Sequence, residues 1–387
     1  MKPYYEDEQT TIFNGDCREI LQALPDNSVD AVVTDPPYGL AFMGKRWDYD
    51  VPGVEVWADC LRILKPGGHL LAFAGTRTQH RMCCRIEDAG FEIRDMIAWV
   101  YGSGFPKSLD VSKAIDKAAG AEREVVGQRK QRANNISTSN APMNASAGDF
   151  EIITAPATDA ARQWQGWGTA LKPALEPITV ARKPLCGTVA ENVLQYGTGG
   201  INVDGCRVEG RERTDYGLAN SVRTQKNTFA APSETADFDG TKGRWPANLI
   251  HDGSDEVTGL FPETASGGGD KHGRNSSSFM SSTNWEAFKG TSIGGDTGSA
   301  ARFFYTAKAD KADRGHGNNH PTVKPQALMR YLVRLVCQPG GVVLDPFSGS
   351  GTTAAAARLE QCRSILCELS AEYCDIAVER LRQRVLF

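Results

Sequence analysis

One short stretch of the sequence places an acid, two prolines and a tyrosine directly after an apolar run. Residues 32–40 read VVTDPPYGL, so Asp35 is followed by Pro36, Pro37 and Tyr38. Proline has no N–H, fixes its own φ angle and holds the preceding residue in an extended conformation. Asp35 is therefore predicted to be exposed at a strand end, where the backbone offers carbonyl oxygens and almost no donors. This stretch predicts a site that accepts hydrogen bonds beside an aromatic face.

A second stretch, near the carboxyl end of the sequence, is typical of a ligand-binding turn. Residues 342–357 read VVLDPFSGSGTTAAAA, which predicts a strand, a glycine turn and a helix. The glycines allow a ligand to approach the backbone closely, and the helix N-terminus presents free N–H groups to an anion. The spacing of a P-loop is absent, and a plain tight turn explains the glycines about equally well.

An acid ends the strand that follows this turn. Glu368 lies about 20 residues beyond the turn, where nucleotide-binding sheets hold a ribose diol on the neighbouring strand. A carboxylate that caps the next helix is the competing interpretation, and the two roles are compatible. The spacing favours ribose binding.

The elements that must position these residues alternate between strand and helix patterns. Predicted strands cover residues 10–16, 30–35, 69–75, 91–101, 175–185, 341–347 and 363–370. Predicted helices cover residues 17–26, 54–68, 77–90, 324–338, 353–361 and 371–385. This alternation predicts an α/β fold with a mainly parallel, doubly wound sheet. Residues 128–160 are predicted to be a mobile insertion, and residues 186–310 are irregular and glycine-rich.

Composition limits the class of protein. The chain has 387 residues, of which 40% are hydrophobic and 23% charged, as in globular proteins. We find no apolar stretch of the length that a membrane helix needs and no signal peptide, so a cytoplasmic location is expected. The ten cysteines form no C-x-x-C pair, and we predict no metal site. The net charge of −4 means that any nucleic-acid contact must be local.

The motifs together resemble those of the S-adenosylmethionine-dependent DNA amino-methyltransferases, which modify adenine N6 or cytosine N4. The resemblance rests on DPPY at residues 35–38 and DPFSGSGTT at residues 345–353. Their order, with the catalytic motif first, is similar to that of the permuted β class. Gly15 with Asp16 and the segment HPTVKP at residues 320–325 also match that class. The resemblance covers residues 10–120 and 316–387, and implies a circularly permuted class I methyltransferase fold.

The resemblance implies how the first stretch would work. The Asp35 carboxylate and the Pro36 carbonyl would accept both hydrogens of an exocyclic amine, which aims the nitrogen lone pair at the methyl donor. Pro37 keeps donors away, and Tyr38 would stack on a base that has left the duplex. Methyl transfer would be direct, without a covalent enzyme intermediate.

The resemblance also implies the cofactor site. Phe347 would pack against S-adenosylmethionine, the glycine turn would hold its methionine end, Glu368 its ribose and Asp16 its adenine amine. Lys324 is a candidate for the methionine carboxylate, and a solvated lysine before a helix is the competing interpretation. The predicted cofactor-binding set is Asp16, Cys17, Asp35, Lys324, Asp345, Phe347, Ser348, Gly349, Ser350, Gly351, Thr352, Thr353, Glu368 and Leu369.

The predicted partner is double-stranded DNA, and the resemblance divides the chain into three parts. Residues 1–185 form the catalytic half, residues 186–310 the target-recognition region and residues 311–387 the cofactor-binding half. Predicted DNA contacts are Lys107, Arg129, Lys130, Arg132, Arg207, Arg211, Arg213, Arg223 and Arg244.

The sequence favours adenine as the modified base, because cytosine N4 enzymes more often carry Ser at the position of Asp35. Cytosine N4 stays open as the acceptor. The sequence is also compatible with an RNA or protein-amide methyltransferase and with a catalytically idle nucleic-acid-binding protein. It leaves open a homodimer and a cognate restriction nuclease.

Overall fold

The computed structural model describes residues 1–40, 48–104, 108–130, 150–210, 243–265, 297–307, 311–315 and 317–382. The strands are β1 Tyr5–Glu6, β2 Thr10–Asn14, β3 Val29–Thr34, β4 Leu64–Phe73, β5 Glu92–Val100, β6 Val125–Lys130, β7 Phe150–Thr154, β8 Leu175–Arg182, β9 Leu249–His251, β10 Glu263–Ala265, β11 Thr297–Ser299, β12 Tyr305–Thr306, β13 Val342–Asp345 and β14 Arg363–Glu368. The helices are α1 Cys17–Ala23, α2 Val54–Ile63, α3 Gln79–Asp88, α4 Val111–Ala118, α5 Asp159–Gln163, α6 Val189–Tyr196, α7 Asp255–Thr258, α8 Lys311–Arg314, α9 Gln326–Val336, α10 Thr352–Leu359 and α11 Ala371–Arg382.

The described residues form a ten-stranded sheet in the order β1-β2-β14-β13-β3-β4-β8-β5-β9-β12. Strands β2, β14, β13, β3 and β4 are all parallel. Strand β8 is antiparallel to both of its neighbours, and β1 is antiparallel to β2 at the edge. This confirms the predicted α/β class with a mixed, mainly parallel sheet. The two carboxyl-terminal strands lie between β2 and β3, so both ends of the sequence build the centre of one sheet.

Alternation along the central strands gives the sheet two apolar faces. Val33 and Val343 pack in one buried cluster with helix α9, whereas Val32 and Leu344 pack in another with helices α2 and α3. Successive side chains of a strand point to opposite faces, so a strand covered on both faces is apolar throughout. The layer architecture therefore follows from the continuous apolar runs of the sequence.

Helix α2 is shorter than the sequence predicted. It ends at Ile63, and residues 64–68 belong to β4 rather than to the predicted helix over residues 54–68. Pro66 cannot continue a helix, and Gly67 has a φ of 78°, which is a left-handed conformation. The helical spacing of apolar residues did not reveal that the helix ends at Ile63.

Part of the range 186–310, the predicted target-recognition region, belongs to the main sheet in the part of the chain that the structure describes. Strands β9 and β12 lie within that range and extend the main sheet beyond β5. Cys206, Ile250 and Ala307 are buried in the same cluster as Val33. These residues are part of the core of the main sheet, and target recognition by this range stays a prediction. The ranges 211–242 and 266–296 lie outside the described residues.

Two further expectations concern segments that the structure describes only in part. Within residues 128–160, predicted to be a mobile insertion, β7 forms an antiparallel ribbon with β6, and the range 131–149 lies outside the described residues. Among described residues, no helix is both long and apolar enough to cross a membrane. In the same part of the chain, no group of three or more His, Cys, Asp or Glu side chains is arranged to hold a metal ion.

Candidate active site

The chemistry-bearing residues gather at one edge of the sheet. Strands β2, β14, β13 and β3 are parallel neighbours, so their carboxyl ends bring the residues that follow them to one place. Strand β8 runs the other way and therefore presents its first residues at that edge. The edge opens into a cleft of about 1750 Å³.

The cleft contains almost every residue that the sequence assigned to catalysis or to the cofactor. Asp35, Pro36, Pro37 and Tyr38 all line it. Of the fourteen predicted cofactor residues, the thirteen that line it are Asp16, Cys17, Asp35, Lys324, Asp345, Phe347, Ser348, Gly349, Ser350, Thr352, Thr353, Glu368 and Leu369.

Gly351 is the exception, because it does not line the cleft. It adopts a φ of 77° directly before helix α10, and a Cβ atom there would lie 2.8 Å from the Cβ of Ala377 in helix α11. The glycine therefore permits the turn and the packing of α10 on α11, and its contact with the cofactor stays a prediction.

A compact charge cluster surrounds Asp35. The Lys324 Nζ donates to Asp35 Oδ2 at 2.7 Å and lies 3.2 Å from Glu176 Oε2. The Tyr38 hydroxyl donates to Asp35 Oδ1 at 2.6 Å and lies 3.1 Å from Glu176 Oε2. We call Asp35, Tyr38, Glu176 and Lys324 the Lys324 cluster. One cation thus bridges two carboxylates, which gives the cluster a formal net charge of −1.

The electrostatics of the Lys324 cluster keep both donors protonated. Burial alone would lower the pKa of Lys324, but the Asp35 and Glu176 carboxylates outweigh it and raise that pKa above its ordinary value. Burial, together with the same two charges, raises the pKa of Tyr38 well above the ordinary value. Lys324 is therefore an ammonium and Tyr38 a neutral phenol throughout the physiological pH range.

This arrangement corrects two expectations. The surroundings of Asp35 are not free of donors, because Lys324 and Tyr38 both donate to its carboxylate. Lys324 also contacts Asp35 instead of lying free for a methionine carboxylate. Its ammonium lies 4.8 Å from the Phe73 ring centroid, and only 10% of its side chain is exposed. The interpretation as a solvated lysine is therefore wrong as well.

Asp48 binds the backbone donors that follow the two prolines. The N–H groups of Tyr38, Gly39 and Leu40 donate to its carboxylate at 2.7, 3.0 and 3.3 Å. The Thr78 hydroxyl donates to the carbonyl of Tyr38 at 2.6 Å. Proline at residues 36 and 37 and Asp48 together leave this turn without a free backbone donor. The backbone part of the predicted acceptor site is thus supported, while the side-chain part is not.

Asp345 anchors the turn on the cofactor side. Its carboxylate accepts from the hydroxyls of Thr34 at 2.6 Å and Thr353 at 2.5 Å, and from the N–H of Phe347 at 3.1 Å. Burial raises the pKa of Asp345 to about 6, although these three donors lower it. Asp345 therefore ties β3, the turn and helix α10 together, so its own contacts are structural.

Glu368 and Gly349 face each other across the turn. The Glu368 carboxylate accepts from the N–H of Gly349 and from that of Ser370, both at 2.8 Å. Gly349 has a φ of 50°, and a Cβ there would lie 2.8 Å from His320 Nε2. Burial raises the pKa of Glu368 to about 7. A half-buried acid with remaining lone pairs beside this turn fits a ribose diol.

The remaining predicted cofactor residues lie around this turn with ordinary contacts. Asp16 caps helix α1 and pairs with Arg18 at 2.5 Å, which lowers the pKa of Asp16. Burial raises the pKa of the Cys17 thiol to about 12. Phe347 lies 6.4 Å from Trp57, centroid to centroid. Leu369 is largely exposed. Asp16 must share its carboxylate with Arg18 if it also accepts from a ligand.

Two of the predicted DNA contacts, Arg207 and Arg244, have partners within the chain. Arg207 donates to Asp204 at 2.8 Å and to the Gly243 carbonyl at 3.0 Å. Arg244 donates to the Glu209 carbonyl at 2.7 Å and lies over the Phe303 ring. These contacts hold both arginines against their own chain, and their role as DNA contacts stays a prediction. Arg129 and Lys130 lie on β6, and Lys107, Arg132, Arg211, Arg213 and Arg223 lie outside the described residues.

Sequence reasoning missed Glu176, Phe73 and Asp48. Glu176 stands at the start of β8, and only the antiparallel direction of that strand brings it to Tyr38. Its segment reads LKPALEPI, in which an acid directly before a proline repeats the arrangement of Asp35. That repetition is the sequence feature from which Glu176 could have been identified as a site residue.

Comparison with known proteins gives relatives of one kind. The "N6_N4_Mtase: DNA methylase" family model matches residues 29–181 and 225–379, which is more than half of the chain. The chain is 43% identical over 67 residues to the orphan methyltransferase M.BamHII of Bacillus amyloliquefaciens, covering 17% of this chain and 25% of that protein. It is 43% identical over 63 residues to the DNA adenine methyltransferase YhdJ of Escherichia coli, covering 16% and 21%. These matches span only about a quarter of the relatives' length.

A longer match and two solved structures complete the comparison. The type II methyltransferase M.HindIII of Haemophilus influenzae is 22% identical over 412 residues, covering 96% of this chain and 94% of that protein. The PvuII DNA methyltransferase, described as cytosine-N4-specific, covers 100% of this chain and 91% of its own, at 15% identity and a TM-score of 0.48. The M1.HpyAVI–SAM complex covers 96% and 99%, at 16% identity and a TM-score of 0.41. The family match, which includes both strand ends that form the cleft, shows that this chain belongs to the N6/N4 DNA methylase family.

Proposed function

We propose that the protein transfers the methyl group of S-adenosylmethionine to N6 of adenine in double-stranded DNA. The observation that carries this proposal is the meeting of two sites in one cleft. Asp35, followed by two prolines, stands at the end of β3, and the glycine turn stands at the end of the adjacent strand β13. An amine acceptor thus lies beside a site suited to a nucleotide cofactor.

The cofactor side would hold S-adenosylmethionine through the turn after β13. Bound there, S-adenosylmethionine supplies a methyl group on a positively charged sulfur. Glu368 would accept from the ribose hydroxyls, and Gly349 would hold the turn in its left-handed conformation beside His320. Phe347 would pack on its apolar surface. The ionised form of Glu368 gives the stronger hydrogen bond to a hydroxyl.

The catalytic side would make an unreactive amine into a nucleophile. The lone pair of an exocyclic amine is delocalised into the base, and two acceptors on its hydrogens favour a pyramidal nitrogen. The Asp35 carboxylate would accept one hydrogen in place of its bond to Lys324, whose ammonium keeps Glu176 as a partner at 3.2 Å. The methylated nitrogen is a cation and loses a proton readily, with the Asp35 carboxylate beside it.

The charge of the Lys324 cluster suits this reaction. Two carboxylates against one ammonium leave one negative charge in a partly buried site whose walls include Tyr38, Trp99 and Tyr101. Positive charge moves from the sulfur to the nitrogen during transfer, and a fixed negative charge stabilises it at both positions. Without Lys324 the cluster would carry two like charges, which repel.

The choice of adenine rests on two supports. Asp35 occupies the position where, in the family that the motifs resemble, cytosine N4 enzymes more often carry Ser. The chain is also similar, over 63 residues, to a relative named as a DNA adenine methyltransferase. The base itself must leave the helix to reach Asp35, since the reacting amine is paired inside a duplex.

The test is to identify the modified nucleoside. The full-length protein is incubated with bacterial genomic DNA and S-adenosylmethionine that carries a deuterated methyl group, and the digested DNA is analysed by mass spectrometry. We expect labelled N6-methyldeoxyadenosine, and none with the Asp35→Ala variant. Labelled N4-methyldeoxycytidine would overturn the choice of base, and label in neither nucleoside would overturn the proposed activity.

A further inference from the structure

A fully exposed arm leads directly into the Lys324 cluster. Residues 164–174 connect helix α5 to strand β8, and every one of them is exposed. The arm meets β8 at Leu175, one residue before Glu176. Segments without burial usually carry function or tolerate change, and this one adjoins the catalytic cleft.

The arm has a defined path despite its exposure. The Val111 N–H donates to the Trp167 carbonyl at 3.1 Å, and Gly168 pairs with Asp110 in a short antiparallel bridge. The N–H of Thr169 donates to the Ser108 hydroxyl at 2.9 Å. Trp164 and Trp167 pack edge to face with their ring centroids 4.9 Å apart. The arm is thus fixed at its base, just before its apolar tip.

Leu171 is the apolar residue at that tip. Its side chain is 91% exposed, yet Leu171 and the adjacent Lys172 both line the cleft that contains Asp35. Leu194 and Leu260 are comparably exposed, at 88% and 81%, and neither lines the cleft. A leucine left in water at the open side of a catalytic cleft has no packing role in the described part of the chain.

We propose that Leu171 enters the DNA stack at the target position and occupies the space that the extruded base leaves. This inference rests on the proposed function, because only a base that must leave the duplex creates such a gap. Proteins that distort DNA commonly insert apolar side chains between base steps, which offsets the cost of unstacking. Lys172, beside it, carries a charge of the sign that attracts the phosphate backbone.

The geometry favours DNA over a protein as the occupant of this tip. Leu171 shares its cleft with Asp35, so a partner that covers Leu171 would also cover the way to Asp35. The substrate of the cleft must lie at that place in each turnover. Leu171 is therefore a positioning residue, which acts on the base through the duplex and does not touch the reacting atoms.

The test compares paired and unpaired targets. Modified-base sequencing of DNA from cells that express the protein gives the target sequence. Two short duplexes are then made, one fully paired and one with an abasic position opposite the target base. For Leu171→Ala we expect kcat/KM of methyl transfer to fall by about 10- to 100-fold on the paired duplex. On the second duplex, whose target has no partner, we expect a loss of less than about threefold.

Two further variants distinguish insertion of Leu171 into DNA from other roles of this residue. Leu171→Met should keep most of the activity because it keeps the apolar volume, and Leu260→Ala, the exposed control, should match the wild type on both duplexes. An equal loss on both duplexes, or no loss on either, would overturn the proposal. Unaltered methylation would instead favour a protein-docking role for the tip. If the wild type methylates neither duplex, the proposed function itself fails.

Discussion

Replacing Lys324 by methionine removes the cation that holds the Lys324 cluster together. The change keeps much of the side-chain volume but leaves Asp35 and Glu176 sharing the Tyr38 hydroxyl with no positive charge between them. The formal charge of the cluster changes from −1 to −2. Two like charges at one partly buried site then repel each other.

The magnitude follows from the burial of the three charged side chains. The Lys324 side chain is 10% exposed, and those of Asp35 and Glu176 are 23% and 20% exposed. Breaking a buried ion pair by removing one partner costs about 3–5 kcal/mol, and the partial exposure of both acids reduces this to about 2–4 kcal/mol. Because the pKa of Lys324 is raised above 10.5, its contribution to stability is complete at neutral pH. It is lost only as the pH rises through that raised value.

The assay combines denaturant unfolding with the pH dependence of methyl transfer. We expect the acid limb of the rate profile of Lys324→Met to move to higher pH, since loss of the ammonium leaves two like charges at the catalytic site. Adding Glu176→Gln to this variant returns the formal charge to −1, and should restore both the stability and the position of the limb.

The matched control is an ion pair outside the cleft. The Lys65 Nζ lies 2.6 Å from Asp30 Oδ1, and the Asp30 side chain is 4% exposed. Lys65→Met should lose a comparable free energy of unfolding while its acid limb stays in place. An unmoved acid limb in Lys324→Met would refute the reasoning, because it would show that Lys324 and Asp35 are not coupled.

The remaining predictions concern the cofactor side. The pKa of Glu368 is raised to about 7 in the folded protein, so the unfolded chain releases this proton at a lower pH than the folded protein does. The free energy of unfolding should therefore fall as the pH rises from about 4.5 to 7. Calorimetry with S-adenosylhomocysteine should show affinity rising through pH 7 in the wild type and not in Glu368→Gln; equal pH dependence in both would contradict the ribose role. Gly349→Ala should abolish binding of S-adenosylhomocysteine, because the added Cβ meets His320. The control is Gly340→Ala, where φ is 83° and an added Cβ would have no atom within 4 Å. This control should cost only about 1 kcal/mol of stability. Normal calorimetric binding by Gly349→Ala would show that the turn tolerates a side chain there.

The sequence predicted those features that depend on local patterns. The buried run before Asp35 and the strand–glycine–helix pattern around Asp345 each define an element and its end. Since parallel neighbours end at one edge, the order of these elements also predicted a shared site. The α/β class and the adjacency of Asp35 to the glycine turn were accessible for this reason.

The sequence did not predict features that depend on direction and long-range pairing. Glu176 reaches Tyr38 only because β8 is antiparallel, which its apolar pattern does not reveal. Lys324 is close to the cofactor strand in sequence, but its side chain points to Asp35. Strands β9 and β12 have three and two residues, too few for a period to appear among glycines.

The central claim is that, within one cleft, Asp35 is needed for methyl transfer and the turn after β13 binds the cofactor. The most direct measurement determines cofactor affinity and methyl transfer for the same two variants, Asp35→Ala and Glu368→Ala. We predict that Asp35→Ala binds S-adenosylhomocysteine with nearly wild-type affinity but transfers no methyl group to DNA. Glu368→Ala should lose about 1.5–3 kcal/mol of binding free energy, and recover part of its transfer rate at saturating S-adenosylmethionine. Loss of cofactor affinity in step with activity for Asp35→Ala, or full methyl transfer without Asp35, would contradict the account.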